Sequence, residues 1–303
     1  MKIITIEHKN PHYIDLQYKT LQKYLKNDFQ YICYNNALWN QDDHTNINNI
    51  CKSLQIECVE YNTRAPFYPG PSEAHADALL KIWSDYKNTN EKIVIINSDM
   101  FLMRDIDFEH IFDNKPMAFI PNYSVTNKHV MALWSGLLFF DMARIPNKND
   151  FDMSLGYVDG EKVDTGGKTR TYFKNNKTDI NFLEFWSIEN YDEGIFHANL
   201  NGNFQFKLYR KYKQSLYNSK TFDYELDKDN YSDYLYHNYE YILSKIEKYN
   251  FPQPPLDCQF IKHFNESIED SFIFHQAGGS NYINNSQEYM NQRFEATKKF
   301  LGV

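Results

Sequence analysis

Residues 93–102 read I-V-I-I-N-S-D-M-F-L: four apolar residues, then an Asn-Ser-Asp triplet. No other stretch restricts the fold as tightly. An uninterrupted apolar run has to be covered on both faces, the condition of a strand in a parallel sheet packed between helices. The triplet then falls where the strand must end, and ligands of such sheets bind just outside the carboxyl ends of the strands. A carboxylate at that mouth is placed to hold a divalent cation against a phosphate. The competing local reading is that Asp99 caps a following helix or turn.

Upstream of this strand, strand and helix signals alternate. Strands are predicted over 2–6, 29–34 and 56–61. Between them Ile14, Tyr18, Leu21 and Leu25 make one helical face within 11–26, and Ile47, Ile50, Cys51 and Leu54 mark a second helix. Ser72 is a predicted cap for a third helix running to about residue 86, with Ala78, Leu79, Ile82 and Trp83 inward. The order β-α-β-α-β-α-β predicts an α/β fold with a doubly wound, mostly parallel central sheet flanked by helices. After Asp105 the pattern is less regular. Strands are expected over 117–120, 137–141 and 204–209, a Tyr-rich helix over 231–249, a break at Pro252, Pro254 and Pro255, and a final helix over 286–300. The expected organisation is a single domain: a nucleotide-binding half over 1–110, a metal and acceptor half over 111–282, and a C-terminal helix over 283–303.

With 303 residues and 42% hydrophobic content the chain can bury a large core. A net charge of −8 argues against nucleic acid as a partner, because replacing counterions along a phosphate backbone needs a basic face. Cys33, Cys51, Cys58 and Cys258 show neither a C-x-x-C pair nor zinc-finger spacing, and read as reduced, mostly buried thiols. The apolar stretch near the start is far shorter than a signal peptide, and no run approaches the ~18 apolar residues of a spanning helix. A cytoplasmic protein without a transmembrane segment is expected.

Four separated pieces carry the candidate chemistry. The first is Asn97-Ser98-Asp99. The second is Trp134-Ser135-Gly136, read as a small-residue turn, ahead of an apolar strand. The third comprises Asp164-Thr165-Gly166-Gly167 and Tyr191-Asp192-Glu193-Gly194, acids beside glycines. The fourth delivers His275 from an apolar strand toward Gly278, Gly279 and Ser280, whose amides are suited to a phosphate. Each piece also has a structural reading: His275 as a hydrogen-bonded strand residue, Asp164 as the start of an Asx-turn, Asp192 as a helix cap.

In this order the motifs resemble glycosyltransferases of the GT-A fold, and more closely the glycogenin-like and lipopolysaccharide-galactosyltransferase-like group. That group has an Asp-x-Asp after a buried strand, an N-[SA]-G turn, a D-Q-G-like motif and an H-x-x-G motif. The counterparts here are N-S-D, W-S-G, Y-D-E-G and H-Q-A-G, over roughly residues 1–282. The resemblance implies a nucleoside-diphosphate-sugar donor, a glycan or other hydroxyl acceptor, and Mn2+ or Mg2+ held by Asp99 and His275. Asn97 stands where the family has its first acid, a neutral and weaker ligand for a hard cation. Asp164 and Asp192 are the candidate catalytic acids. Asn10 and Arg64, with Ser98, Asp99, Gly278, Gly279 and Ser280, are expected at the nucleotide and diphosphate. His75, Trp134, Ser135, Gly136, Gly166 and Gly167 are expected at donor or acceptor sugar. The family's Lys after H-x-x-G is absent, so Arg64, Lys168, Arg170 and Arg210 are alternative cations for the diphosphate.

Overall fold

The apolar runs form strands and the amphipathic segments between them form the covering helices. The computed structural model describes residues 1–37, 40–61, 71–123, 131–176, 178–188, 258–263, 271–276 and 287–303. They fall into two units, Met1–Leu183 and Glu184–Val303.

The first unit opens with β1 (Lys2–Glu7), α1 (Pro11–Tyr24), β2 (Gln30–Asn35), α2 (Gln41–Leu54), β3 (Glu57–Glu60), α3 (Pro71–Tyr86) and β4 (Lys92–Ile96). β1 pairs in parallel with β2 on one side and β4 on the other, and β2 pairs in parallel with β3. The order β3-β2-β1-β4 means that α1 and α2 carry the chain outward in one direction and α3 returns it past β1. Helix partners follow the strand alternation: Tyr31 of β2 donates its hydroxyl to Gln17 of α1, whereas Tyr34 donates to Asp85 of α3, on the other face. The reversal of direction, the topological switch point, therefore lies between β1 and β4, and a ligand crevice belongs at their carboxyl ends.

α3 begins at Pro71, so Ser72 lies inside its first turn and is not the expected cap. Proline suits a first helical position, where its missing N–H costs nothing. α2 is capped as composition favours, Asn40 Oδ1 accepting from the amides of Asp42 and Asp43.

Beyond β4 the chain makes a tight turn into β5 (Met100–Leu102), passes α4 (Phe108–Phe112), and forms β6 (Met117–Tyr123) and β7 (Met131–Asp141). β7 is inserted antiparallel between β4 and β6. After a 3-10 turn (Lys148–Asp150), β8 (Gly156–Val158) and β9 (Glu161–Val163) form a hairpin on Asp159 and Gly160, both at positive φ, which leads into α5 (Thr169–Asn175). The first residues of β10 (Ile180–Ile188) then pair in parallel with β6. The core between sheet and α3 is aromatic: Trp83 stacks on Phe151 at 4.4 Å and meets Phe140 edge-on at 5.4 Å. The Trp83 indole N–H donates to Lys148 O, so the buried ring has no polar cost.

In the second unit β11 (Cys258–His263) and β12 (Ile273–Gln276) pair antiparallel, and α6 (Gln287–Leu301) supplies Phe300 against Phe274 and the Thr297 hydroxyl to Gln276 Oε1. The strand expected over 204–209, the helix over 231–249 and the Pro252–Pro255 break lie outside the described residues. Among the described residues no helix is long and apolar enough to cross a membrane.

Candidate functional site

At the switch point the end of β1 is organised by Glu7. Its Oε1 accepts from the backbone amides of His8, Lys9 and Asn10 at 2.8, 3.0 and 3.0 Å, curling the chain into a tight loop before Pro11 starts α1. Burial pushes the Glu7 carboxyl pKa up; the three amides and the Ser98 hydroxyl oppose this by favouring the charged form. Ser98 thereby links the β1 loop to the triplet after β4. Asn10 is buried in this loop.

The triplet forms a turn. Met100 N donates to Asn97 O at 3.0 Å, and the Gln17 amide donates to both Asn97 O and Met100 O at 2.7 Å. A buried glutamine on α1 therefore fixes the turn from beneath. Ser98 and Asp99 are buried at 6% and 2% exposure, unusual for polar residues in a turn.

Trp134-Ser135-Gly136 is not a turn but lies inside β7, a correction to the sequence reading. Leu138 pairs with Phe119 while Leu133 pairs with Pro121, so residues 134–137 of β7 oppose Ile120 alone. The segment is a large bulge, with more than the usual two residues against one, which explains why turn-like residues occur within an apolar strand. Nor is the backbone at Gly136 left open: a Cβ there would stand 2.4 Å from the Trp134 indole, which folds back over it. The bulge instead presents carbonyls, Gly136 O to Asn97 N at 3.0 Å and Ser135 O to His75 Nε2 at 3.4 Å. His75 is half-buried on α3. Burial pushes its pKa down, and Ser135 O with the nearby carboxylates of Asp99 and Asp164 partly restores it.

Asp164 follows the β8–β9 hairpin. Its Oδ1 accepts from Thr165 N at 2.7 Å, and Gly167 N donates to Asp164 O at 2.8 Å, so the carboxylate both shapes its own turn and remains exposed. The two glycines are required by close packing. A Cβ on Gly166, which has φ +81°, would stand 2.6 Å from Leu133 Cδ1, and one on Gly167 would stand 2.3 Å from Val163 Cβ. Thr165 Oγ1 donates to Ser72 O at 2.9 Å, tying this turn to the start of α3. Gly166 and Gly167 thus act through packing against β7 and β9.

The first unit therefore brings together Asn10, Asn97, Ser98, Asp99, His75, Ser135, Gly136, Asp164, Gly166 and Gly167. His275 belongs to the second unit. It is the third of four buried residues of β12 and pairs with Gln259; Phe274 and Gln276 face α6, so alternation turns His275 to the opposite face. Arg64, Asp192, Gly278, Gly279, Ser280 and Arg210 lie outside the described residues. Of the alternative cations, Arg170 is engaged by Glu161 at 2.7 Å and Lys168 lies 3.8 Å from Asp152.

Glu7, Gln17 and Asn36 were not anticipated. Asn36, after β2, donates to Ala74 O and accepts from the Tyr61 hydroxyl at 2.6 Å, joining the strand ends to the helix that carries His75. A carboxylate ending the first strand was a visible signal for Glu7; nothing local marks Gln17 or Asn36.

No protein-family model matches the chain, and no curated protein does. Among solved structures it is similar to galactosyltransferase LgtC in complex with donor and acceptor sugar analogues, at 13% identity and a TM-score of 0.35, covering 47% of this chain and 58% of that one. An active-site variant of LgtC matches with the same identity and score, over 48% and 58%. The chain thus spans rather more than half the length of these structures.

Proposed function

We propose that this protein is a glycosyltransferase that transfers a sugar from a nucleoside-diphosphate-sugar to a hydroxyl of a saccharide or other acceptor, with Mn2+ or Mg2+. The observation that carries this reading is the convergence at the β1–β4 switch point of the N-S-D turn, the β7 bulge and the Asp164 turn. These segments lie far apart in sequence, and their meeting place is where a phosphate-bearing ligand binds an α/β sheet.

In this reading Asn97 and Asp99 hold the cation. A bound cation supplies charge stabilisation to the departing diphosphate, stronger in the transition state than in the ground state. Gln17 keeps the ligand-bearing turn from moving. Asn10 and the Glu7 loop hold the nucleotide. His75, Ser135 and the Gly166-Gly167 turn line the sugar end. Asp164 or Asp192 is the polar group at the reacting sugar: a base for the acceptor hydroxyl if the stereochemistry inverts, a stabiliser of the reactive face if it is retained.

The neutral Asn97 removes one negative charge from the metal site and favours a second reading, a module that binds nucleotide or glycan without turnover. Thermal stabilisation by nucleoside diphosphates with and without Mn2+, followed by an assay for donor hydrolysis and transfer, tests both. Metal-dependent stabilisation with turnover supports the enzyme; stabilisation without turnover supports the module; absence of metal-linked stabilisation overturns the metal-dependent enzyme, and absence of any stabilisation by nucleotide overturns nucleotide binding in both.

A further inference from the structure

The three cysteines of the first unit converge. Cys33 of β2 and Cys58 of β3 are register partners in a parallel pair, so their side chains leave the same face of the sheet. Cys51 descends on them from α2, and the three Sγ atoms lie within 4.8 Å of one another. Cys33 and Cys51 are buried while Cys58 is half-exposed, near the end of the sheet at β3. They are free thiols rather than a bridged pair.

We infer that Cys33, Cys51 and Cys58 form a binding site for a soft, thiophilic divalent cation of the zinc class. Around zinc at the usual Zn–S length, tetrahedral thiolates stand roughly 3.8 Å apart, so closing the trio requires movements of about 1 Å at most. Soft sulfur ligands select this class of ion over the hard cations that oxygen donors hold. Binding exchanges three thiol protons for the dication and leaves a centre of charge −1, a smaller burden on a buried site than three free thiolates. As a thiol Cys58 donates to Asn48 Oδ1 at 3.2 Å, and Asn48 is itself fixed by Asn35 and Glu60. His44 Nε2, on the same helix as Cys51, is buried without a hydrogen bond, 3.6 Å from the Glu60 carboxylate.

The test is a Cd2+ titration of the full chain carrying Cys258→Ala, read by the ultraviolet thiolate-to-cadmium charge-transfer band. One equivalent giving the band, with affinity falling at least tenfold in Cys58→Ser, supports the site; no band in folded protein, or an unchanged one in Cys58→Ser, overturns it. The band must persist in Asp99→Ala, and its loss there would place the ion elsewhere. A second measurement needs no cysteine variant beyond this background: mass-spectrometric alkylation with and without Zn2+. Protection of all three thiols supports the site, and equal labelling of Cys58 in both conditions overturns it.

Discussion

Two regions of one sheet use opposite chemistry. At the carboxyl ends of β1 and β4 the groups are oxygens: Glu7, Asn97, Ser98, Asp99 and the bulge carbonyls. At the β2–β3 end they are sulfurs, held by a strand pair and a helix. The oxygen region is built from turns and a bulge, which can be adjusted to a ligand; the sulfur region is built from regular elements whose spacing is fixed. Position in the topology separates them: the crevice opens only where strand order reverses, so the thiol trio, inside a β-α-β unit, faces a helix rather than a cleft.

The comparison predicts, first, that Asp99→Ala lowers transfer or donor hydrolysis by about a hundredfold or more, with loss of Mn2+-linked thermal stabilisation, by analogy with removing one preorganised charge-stabilising group. Retained Mn2+ dependence would remove the oxygen region from the chemistry. Next in size, Gly166→Ala is expected to cost about 2–3 kcal/mol in urea unfolding, because positive φ and contact with Leu133 act together. Gln17→Ala removes one donor from each of the Asn97 and Met100 carbonyls and should cost about 1–2 kcal/mol, with weakened Mn2+ binding as the sign that the turn has loosened.

The smallest effect is a pH dependence. Glu7 has a raised folded pKa, so its protonated form favours folding below the unfolded value of about 4.3. That contribution is lost as pH rises through the folded pKa. The stability of the native protein relative to Glu7→Gln should therefore decline as pH rises from about 4.3 to the folded pKa and level off above it, measured by urea midpoints. His75 has the opposite sign: its lowered pKa favours the neutral form, so its contribution is present above about 6.5 and falls away below it.

Much of the first unit was legible because its causes are local. Apolar runs, helical faces and the turn after β4 placed β1 through β4 and three helices to within a few residues, since burial on one or two faces imposes its own periodicity. The Asn97–Asp99 turn was readable for the same reason. The Trp134–Gly136 segment was not, because tryptophan, serine and glycine in sequence look like a turn, and only the pairing of β7 with both β4 and β6 turns them into a bulge.

By itself the sequence determined the alternation of elements, the acid after β4 and the glycines that later pack, all consequences of side-chain size, charge and apolar period. The tertiary structure decided which of these meet. That Gln17 holds a turn 80 residues away, that Ser135 faces His75, and that three cysteines without a spacing motif share one point between β2, β3 and α2 are properties of strand order and register. Those are set by the summed burial of the whole sheet and leave no trace in any short window of sequence.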